Sequence, residues 1–168
     1  MKIVGATEYA VVLYREKLPK FNNQGKMVLN WFKWNRDGKR IPKIHPTQKP
    51  VNVLARLIEI FTDEGDVVID PCCGTGTIIN QAYALKEEYD INQDATINSI
   101  WASDKHSFPI QLSTMTLAKP NNIGKVLNIF REDVIDLEIG KDITFKDPNN
   151  GNDVIKQFPT VNYVVSNL

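Results

Sequence analysis

Apolar positions along the chain fall into three textures. Residues Thr7 to Tyr14 are rich in β-branched and aromatic side chains and are closed by Arg15-Glu16-Lys17, which predicts a strand. The stretch from Pro19 to Pro50 has no sustained period; it holds Asn22-Asn23, Asp37-Gly38 and the prolines at 19, 42, 46 and 50. It reads as loop with one short element at Met27 to Phe32. A connection of that length is unusual inside a compact domain and is frequently functional.

From Pro50 onward the pattern changes. Leu54, Leu57, Ile58 and Phe61 recur at helical spacing behind a proline suited to a first turn. Val67 to Asp70 predicts a short strand, and Thr77 to Glu88 a second helix after a glycine turn. Ile100 to Asp104 reads as a strand, Pro109 to Ala118 as a helix, Leu127 to Phe130 as a strand and Lys146 to Asp153 as a surface loop. Val161 to Leu168 gives the last strand. Alternating strands and helices predict an α/β fold with a mostly parallel sheet flanked by helices on both faces. Ligands of such sheets bind outside the carboxyl ends of the strands. Asp70, Asp104, Asp133 and Asn167 stand at those ends.

Composition narrows the class. A chain of 168 residues with 42% apolar side chains suits a single domain over 1–168, with an irregular basic-aromatic loop at about 19–46. Twenty basic and twenty acidic residues cancel, which excludes a strongly basic clamp or an acidic disordered chain. No run reaches the roughly 18 apolar residues needed to span a bilayer. Glu8 comes too early for a signal-peptide core. A soluble, cytoplasmic protein without membrane contact is the expectation. Cys72 and Cys73 are adjacent, which disfavours a disulfide between them.

The sharpest local signal is Asp70-Pro71-Cys72-Cys73-Gly74-Thr75-Gly76-Thr77, a strand end, a tight turn and a helix start. Gly74 and Gly76 let backbone approach a ligand without a Cβ in the way. The third glycine of a dinucleotide fingerprint is absent, and so is the Gly-Lys-Ser/Thr of a Walker loop. A plain strand-to-helix turn is the blander alternative. Asp104 can accept both hydroxyl protons of a ribose, or simply cap a helix. It lies 34 residues beyond Asp70, more than the roughly 20 usual for that role, so a helix and loop are expected through Ile91 to Ser99. Asp133 can accept from an adenine amino group or be a solvated acid. His45 and His106 with Cys72 and Cys73 make a poor tetrahedral set, so no metal is expected.

With these residues in view, the chain resembles a known family. His45-Pro46-Thr47-Gln48-Lys49-Pro50, a helix, then Gly65 through Thr77 resemble the amino-group (N6-adenine and N4-cytosine) DNA methyltransferases. Thr7 to Tyr14 is similar to the strand that precedes the first block there. The resemblance implies a Rossmann-like methyltransferase fold and S-adenosylmethionine as cofactor. It implies that Asp70, Pro71, Gly74 and Gly76 hold the methionine part, Asp104 the ribose and Asp133 the adenine. Thr47 and Lys49 would sit at the pocket rim. The implied partner is double-stranded DNA with a flipped-out base, in the setting of restriction and modification.

One family feature is missing. The catalytic tetrapeptide, of the type Asp/Asn/Ser-Pro-Pro-aromatic, does not occur in the sequence. Ser166-Asn167-Leu168 resembles its opening, which would make Asn167 the catalytic acceptor. Residues 1–77 resemble one permuted order of the family and residues 78–168 another. The expectation is therefore a fragment or a fusion, inactive alone, whose partner chain or remaining segment supplies catalytic and target-recognition parts. The leading reading is adenine-N6 methylation of DNA. The alternatives are a catalytically silent cofactor- or DNA-binding module, or methylation of RNA or protein. Trp31, Phe32, Lys33, Trp34, Arg36, Lys39, Arg40 and Lys43 suit DNA backbone and base stacking, or tryptophans packed on the sheet.

Overall fold

In the computed structural model, which describes residues 10–12, 21–33, 49–63, 65–88 and 91–165, helix α1 (Val51–Phe61) begins directly after Pro50. It buries Leu54, Ile58 and Ile60. It stops at Thr62, whose amide and hydroxyl both donate to the Ile58 carbonyl, at 2.9 and 2.8 Å. Of the strand expected at Thr7 to Tyr14, only Ala10 to Val12 are described and they form no strand; the rest lies outside the described residues. The short element expected at Met27 to Phe32 is not formed; that stretch is irregular, with Met27, Leu29 and Trp31 exposed and no apolar face to bury.

The remaining elements follow in the order β1 (Val68–Asp70), α2 (Thr77–Glu88), α3 (Gln93–Ser99), β2 (Ile100–Asp104), α4 (Ser107–Leu117), β3 (Ile129–Arg131), β4 (Asp142–Lys146), β5 (Asp153–Gln157) and β6 (Tyr163–Val164). Helix α3 occupies the long spacer between Asp70 and Asp104. Asn92 starts it, its side chain accepting from the Asp94 and Ala95 amides at 2.9 and 3.3 Å, a cap worth about 1 kcal/mol.

Four strands form one parallel sheet in the order β3-β2-β1-β6, with Val68 opposite both Ile100 and Tyr163. This is the α/β, Rossmann-like arrangement expected. The strand order reverses beside β1, the place where such sheets bind ligands. From β1 to β2 to β3 the chain steps one way, and α2, α3 and α4 pack on a single face. Ile79, Tyr83, Ile97 and Leu117 meet Ile100 and Ala102 there, and Ile58 brings α1 onto the same layer.

The step from β3 back to β6 runs the other way. A right-handed crossover must then pass over the opposite face. Among the described residues, that face is covered by the antiparallel β4–β5 hairpin rather than by a helix. Ile143 and Phe145 from β4, with Phe158, pack on Ile69, Trp101 and Phe130. The aromatic rings meet edge to face at centroid distances of 5.5 to 6.2 Å, each pair adding about 0.5–1.5 kcal/mol beyond burial. Lys156 on β5 fastens the hairpin from below. Its Nζ donates to Asn128 Oδ1 at 2.7 Å and to the Val126 carbonyl at 3.2 Å, and burial lowers its pKa. The expected surface loop is the hairpin's turn, closed by the Gly151 amide donating to the Asp147 carbonyl at 2.8 Å.

Truncating Phe145 to alanine opens a hole against the rings of Trp101 and Phe130. The expected loss of unfolding free energy in a urea titration is about 3–5 kcal/mol. A loss below about 1 kcal/mol would mean the hairpin is not part of the sheet's core.

Candidate functional site

Asp70 ends β1 and is 3% exposed, yet its carboxylate meets backbone rather than a basic side chain. The Cys72 amide donates to its Oδ1 at 3.2 Å. Burial pushes the Asp70 carboxyl up to about 7; the Cys72 amide opposes the rise and the Asp104 charge adds to it. A carboxyl so placed is ready to ionise beside an incoming cation.

The turn after β1 folds back over the end of β2. Parallel register sets Asp70 beside Ala102, so Asp104 lies two residues further along the neighbouring strand. The Cys73 amide donates to the Ser103 carbonyl at 2.9 Å, and the Gly74 amide donates to Asp104 Oδ2 at 3.3 Å. The other oxygen, Oδ1, accepts from the His106 amide at 2.9 Å. An ionised carboxylate has about four acceptor positions, so two such bonds leave room for a diol. Asp104 is half-buried, and so are Cys72, Gly74 and Thr75 around it.

Gly74 and Gly76 adopt φ of +50° and +75°. A Cβ at Gly74 would meet only the Cys72 carbonyl oxygen, at 3.9 Å; one at Gly76 would lie 3.0 to 3.1 Å from atoms of Ser113. Handedness thus constrains Gly74, and both handedness and space constrain Gly76. Hydroxyls take the turn's carbonyls. Ser103 Oγ donates to Pro71 at 3.3 Å, Ser113 Oγ to Gly74 at 3.0 Å and Thr116 Oγ1 to Thr75 at 3.3 Å. These serine and threonine partners were not foreseen from the sequence. The cue was the run Ser113-Thr114-Met115-Thr116 inside a helix, where such residues need a local reason.

Asp70, Pro71, Gly74, Gly76 and Asp104 therefore gather within one turn and two strand ends. Asp133 follows β3 on the same edge of the sheet, where its Oδ1 accepts from the Ile135 amide at 3.3 Å and caps the 3-10 turn Val134–Asp136. Lys49 stands half-buried just before α1. Thr47 and Asn167 lie outside the described residues, as do His45 and most of the basic run after Phe32. Cys73 is buried and its thiol is pushed up to about 12, chiefly by that burial, so it is a small apolar filler rather than a nucleophile. Among the described residues no group of three or more His, Cys, Asp or Glu could hold a metal. No described helix is long and apolar enough to cross a membrane.

Two cavities lie elsewhere. One of about 710 Å³ follows the free edge of β3 between α4 and β4, and one of about 620 Å³ sits between α1, α2 and residues 22–28. Neither is lined by Asp70 or Asp104. Trp31 is 67% exposed and Phe32 46%, with Lys26 and Lys33 nearby in sequence, so Trp31 does not pack on the sheet.

The family model described as DNA methylase, of the N6/N4 methyltransferase type, matches residues 11–94. The chain is 37% identical over 71 residues to the type II methyltransferase M2.MboI of Moraxella bovis, covering 36% of the chain and 26% of that relative. It is 50% identical over 36 residues to the type II methyltransferase M.HpaI of Haemophilus parainfluenzae, covering 21% and 12%. The chain thus spans about a quarter or less of these relatives. A crystal structure of a predicted N6-adenine-specific DNA methylase from Listeria monocytogenes str. 4b F2365 superposes with a TM-score of 0.45 at 14% identity, over 59% of the chain and 34% of that structure.

The raised pKa of Asp70 has a sign that can be measured. A carboxyl that binds its proton more tightly when folded contributes stability fully below its ordinary value of 3.8, and loses it as pH rises to about 7. Relative to Asp70→Asn, the wild-type chain should lose on the order of 1 kcal/mol per pH unit across that window. Urea titrations of both proteins at several pH values check this, and parallel curves would contradict it.

Proposed function

Because the chain belongs to the DNA methylase family of N6/N4 amino-methyltransferases, we propose that it carries the cofactor-binding part of an S-adenosylmethionine-dependent DNA methyltransferase acting on the N6 amino group of adenine. The observation that carries this reading is the bond from the Gly74 amide to Asp104, which puts a glycine turn and two strand-end carboxylates in one place. Restriction-modification relatives support the DNA substrate.

The residues present fit this cofactor. When bound, S-adenosylmethionine supplies an electrophilic methyl group on a sulphonium. Asp104 uses its remaining acceptor positions for the ribose hydroxyls. Asp70 gives up its proton and becomes counter-charge to the cationic amino-acid part, as burial makes that charge count for more than it would in water. Pro71 and the glycines keep side chains out of the contact surface, and Asp133 accepts from the adenine amino group. Thr47 and Lys49 close the rim. The stretch from Lys26 to Lys33 offers the exposed rings of Trp31 and Phe32 and two lysines to DNA, in keeping with stacking and phosphate contact on a duplex whose target base is flipped out.

The transfer needs an acceptor for the amino-group protons and an aromatic platform for the base. No Asp/Asn/Ser-Pro-Pro-aromatic tetrapeptide occurs in residues 1–168, so these residues bind cofactor but leave methylation incomplete until another segment or chain supplies it. In that case Asn167 would open the tetrapeptide.

Isothermal titration of the chain with S-adenosylmethionine tests the reading. Binding is expected, and Asp104→Ala should weaken it on the order of 10- to 100-fold through loss of a charged acceptor. Unchanged affinity in that variant would remove Asp104 from the site, and no binding by the wild type would refute the cofactor. Methylation of DNA by this chain alone would contradict the incomplete centre.

A further inference from the structure

Ser113 is not among the residues through which the chain would touch cofactor, yet it is completely buried and sits directly behind the glycine turn. Its Oγ donates to the Gly74 carbonyl at 3.0 Å and also faces the Cys73 sulphur as a donor at 3.4 Å. Its Cα and Cβ are 3.1 Å from where a Cβ on Gly76 would stand, so helix and turn are in the closest contact that backbone permits. One turn further along α4, Thr116 Oγ1 reaches the Thr75 carbonyl at 3.3 Å while also donating to Leu112 at 2.8 Å. Each hydroxyl has one proton for two acceptors, and Ser113 makes the shorter bond to the turn, 3.0 against 3.3 Å, so it is the stronger of the two tethers.

The geometry points to Ser113 as a positioning residue of the glycine turn, whose grip on the Gly74 carbonyl holds the turn in the conformation that keeps the Gly74 amide on Asp104 beside the cofactor site. The inference rests on the cofactor reading above for its functional consequence, but the clamp itself is a property of the free chain. The amide and carbonyl of Gly74 are held from opposite sides, by Asp104 on β2 and Ser113 on α4. A glycine at φ +50° has few steric limits of its own. Without the hydroxyl the Gly74–Thr75 peptide plane loses its carbonyl tether, and with no Cβ to restrain it Gly74 keeps only the Asp104 bond and the enclosing 2.7 Å bond from the Gly76 amide to the Cys73 carbonyl. The tether is a single hydrogen bond between uncharged groups, and its contribution is correspondingly modest.

The test compares Ser113→Ala with Ile143→Val, a conservative change in the core on the other face of the sheet. Three quantities are read for each: S-adenosylmethionine affinity by calorimetry, Tm, and the amide resonance and hydrogen exchange of Gly74 in the free protein. Ser113→Ala is expected to weaken binding about fivefold to tenfold, to shift the Gly74 resonance and to speed its exchange. Ile143→Val should lower Tm without either effect. If affinity merely follows Tm across the two variants, or if the Gly74 resonance and exchange are unchanged in Ser113→Ala, the positioning role is overturned. Should the wild type fail to bind S-adenosylmethionine, the cofactor reading falls, and Gly74 exchange then decides the clamp by itself: faster exchange upholds it and unchanged exchange overturns it.

Discussion

The contact between the Gly74 amide and the Asp104 carboxylate joins two pieces of chain that sequence separates by thirty residues. It exists because β1 and β2 lie side by side in parallel register and because the turn after β1 is free to curl left-handed at its glycines. Each condition depends on the other. A side chain at Gly76 would be strained at its positive φ and would press on Ser113 of α4, and a shifted register would carry Asp104 past the turn. The chemistry of the site, a buried carboxyl whose pKa burial raises next to a half-buried one that accepts two amides, is a consequence of that closure.

The sheet's topology extends the same logic to the far face. Once β6 returns to the opposite side of β1, its crossover must lie on the face that the helices leave bare. Here a hairpin makes that crossing, and it brings Ile143 and Phe145 where the sheet exposes Ile69, Trp101 and Phe130. A two-stranded hairpin is only marginally stable alone, so the hairpin and the sheet each need the other's apolar surface.

Much of this was legible in the residues. Helix α2 and strand β2 fall where periodicity puts them, since both are uninterrupted apolar patterns bounded by glycine or aspartate. The turn from Asp70 to Thr77 announced itself by composition. The β4–β5 hairpin was missed, although Ile143 and Phe145 alternate with polar residues across five positions. Two apolar residues per strand is a faint period, and the Asn-Gly tract between them drew attention to the loop rather than to its flanks. Ser113 was illegible for a different reason: a serine in a helix says nothing of its target until the fold places a glycine carbonyl 3.0 Å away. The capping role of Asp133 likewise depends on a 3-10 turn that three residues of sequence do not declare.

Backbone amide resonances followed during a titration with S-adenosylmethionine test the central claim most directly. Gly74 and His106 both donate to Asp104, so both should shift and saturate together at the same ligand concentration, ahead of residues in any other part of the fold. Shifts centred instead on the cavity between α1 and α2, with Gly74 and His106 unmoved, would contradict the account.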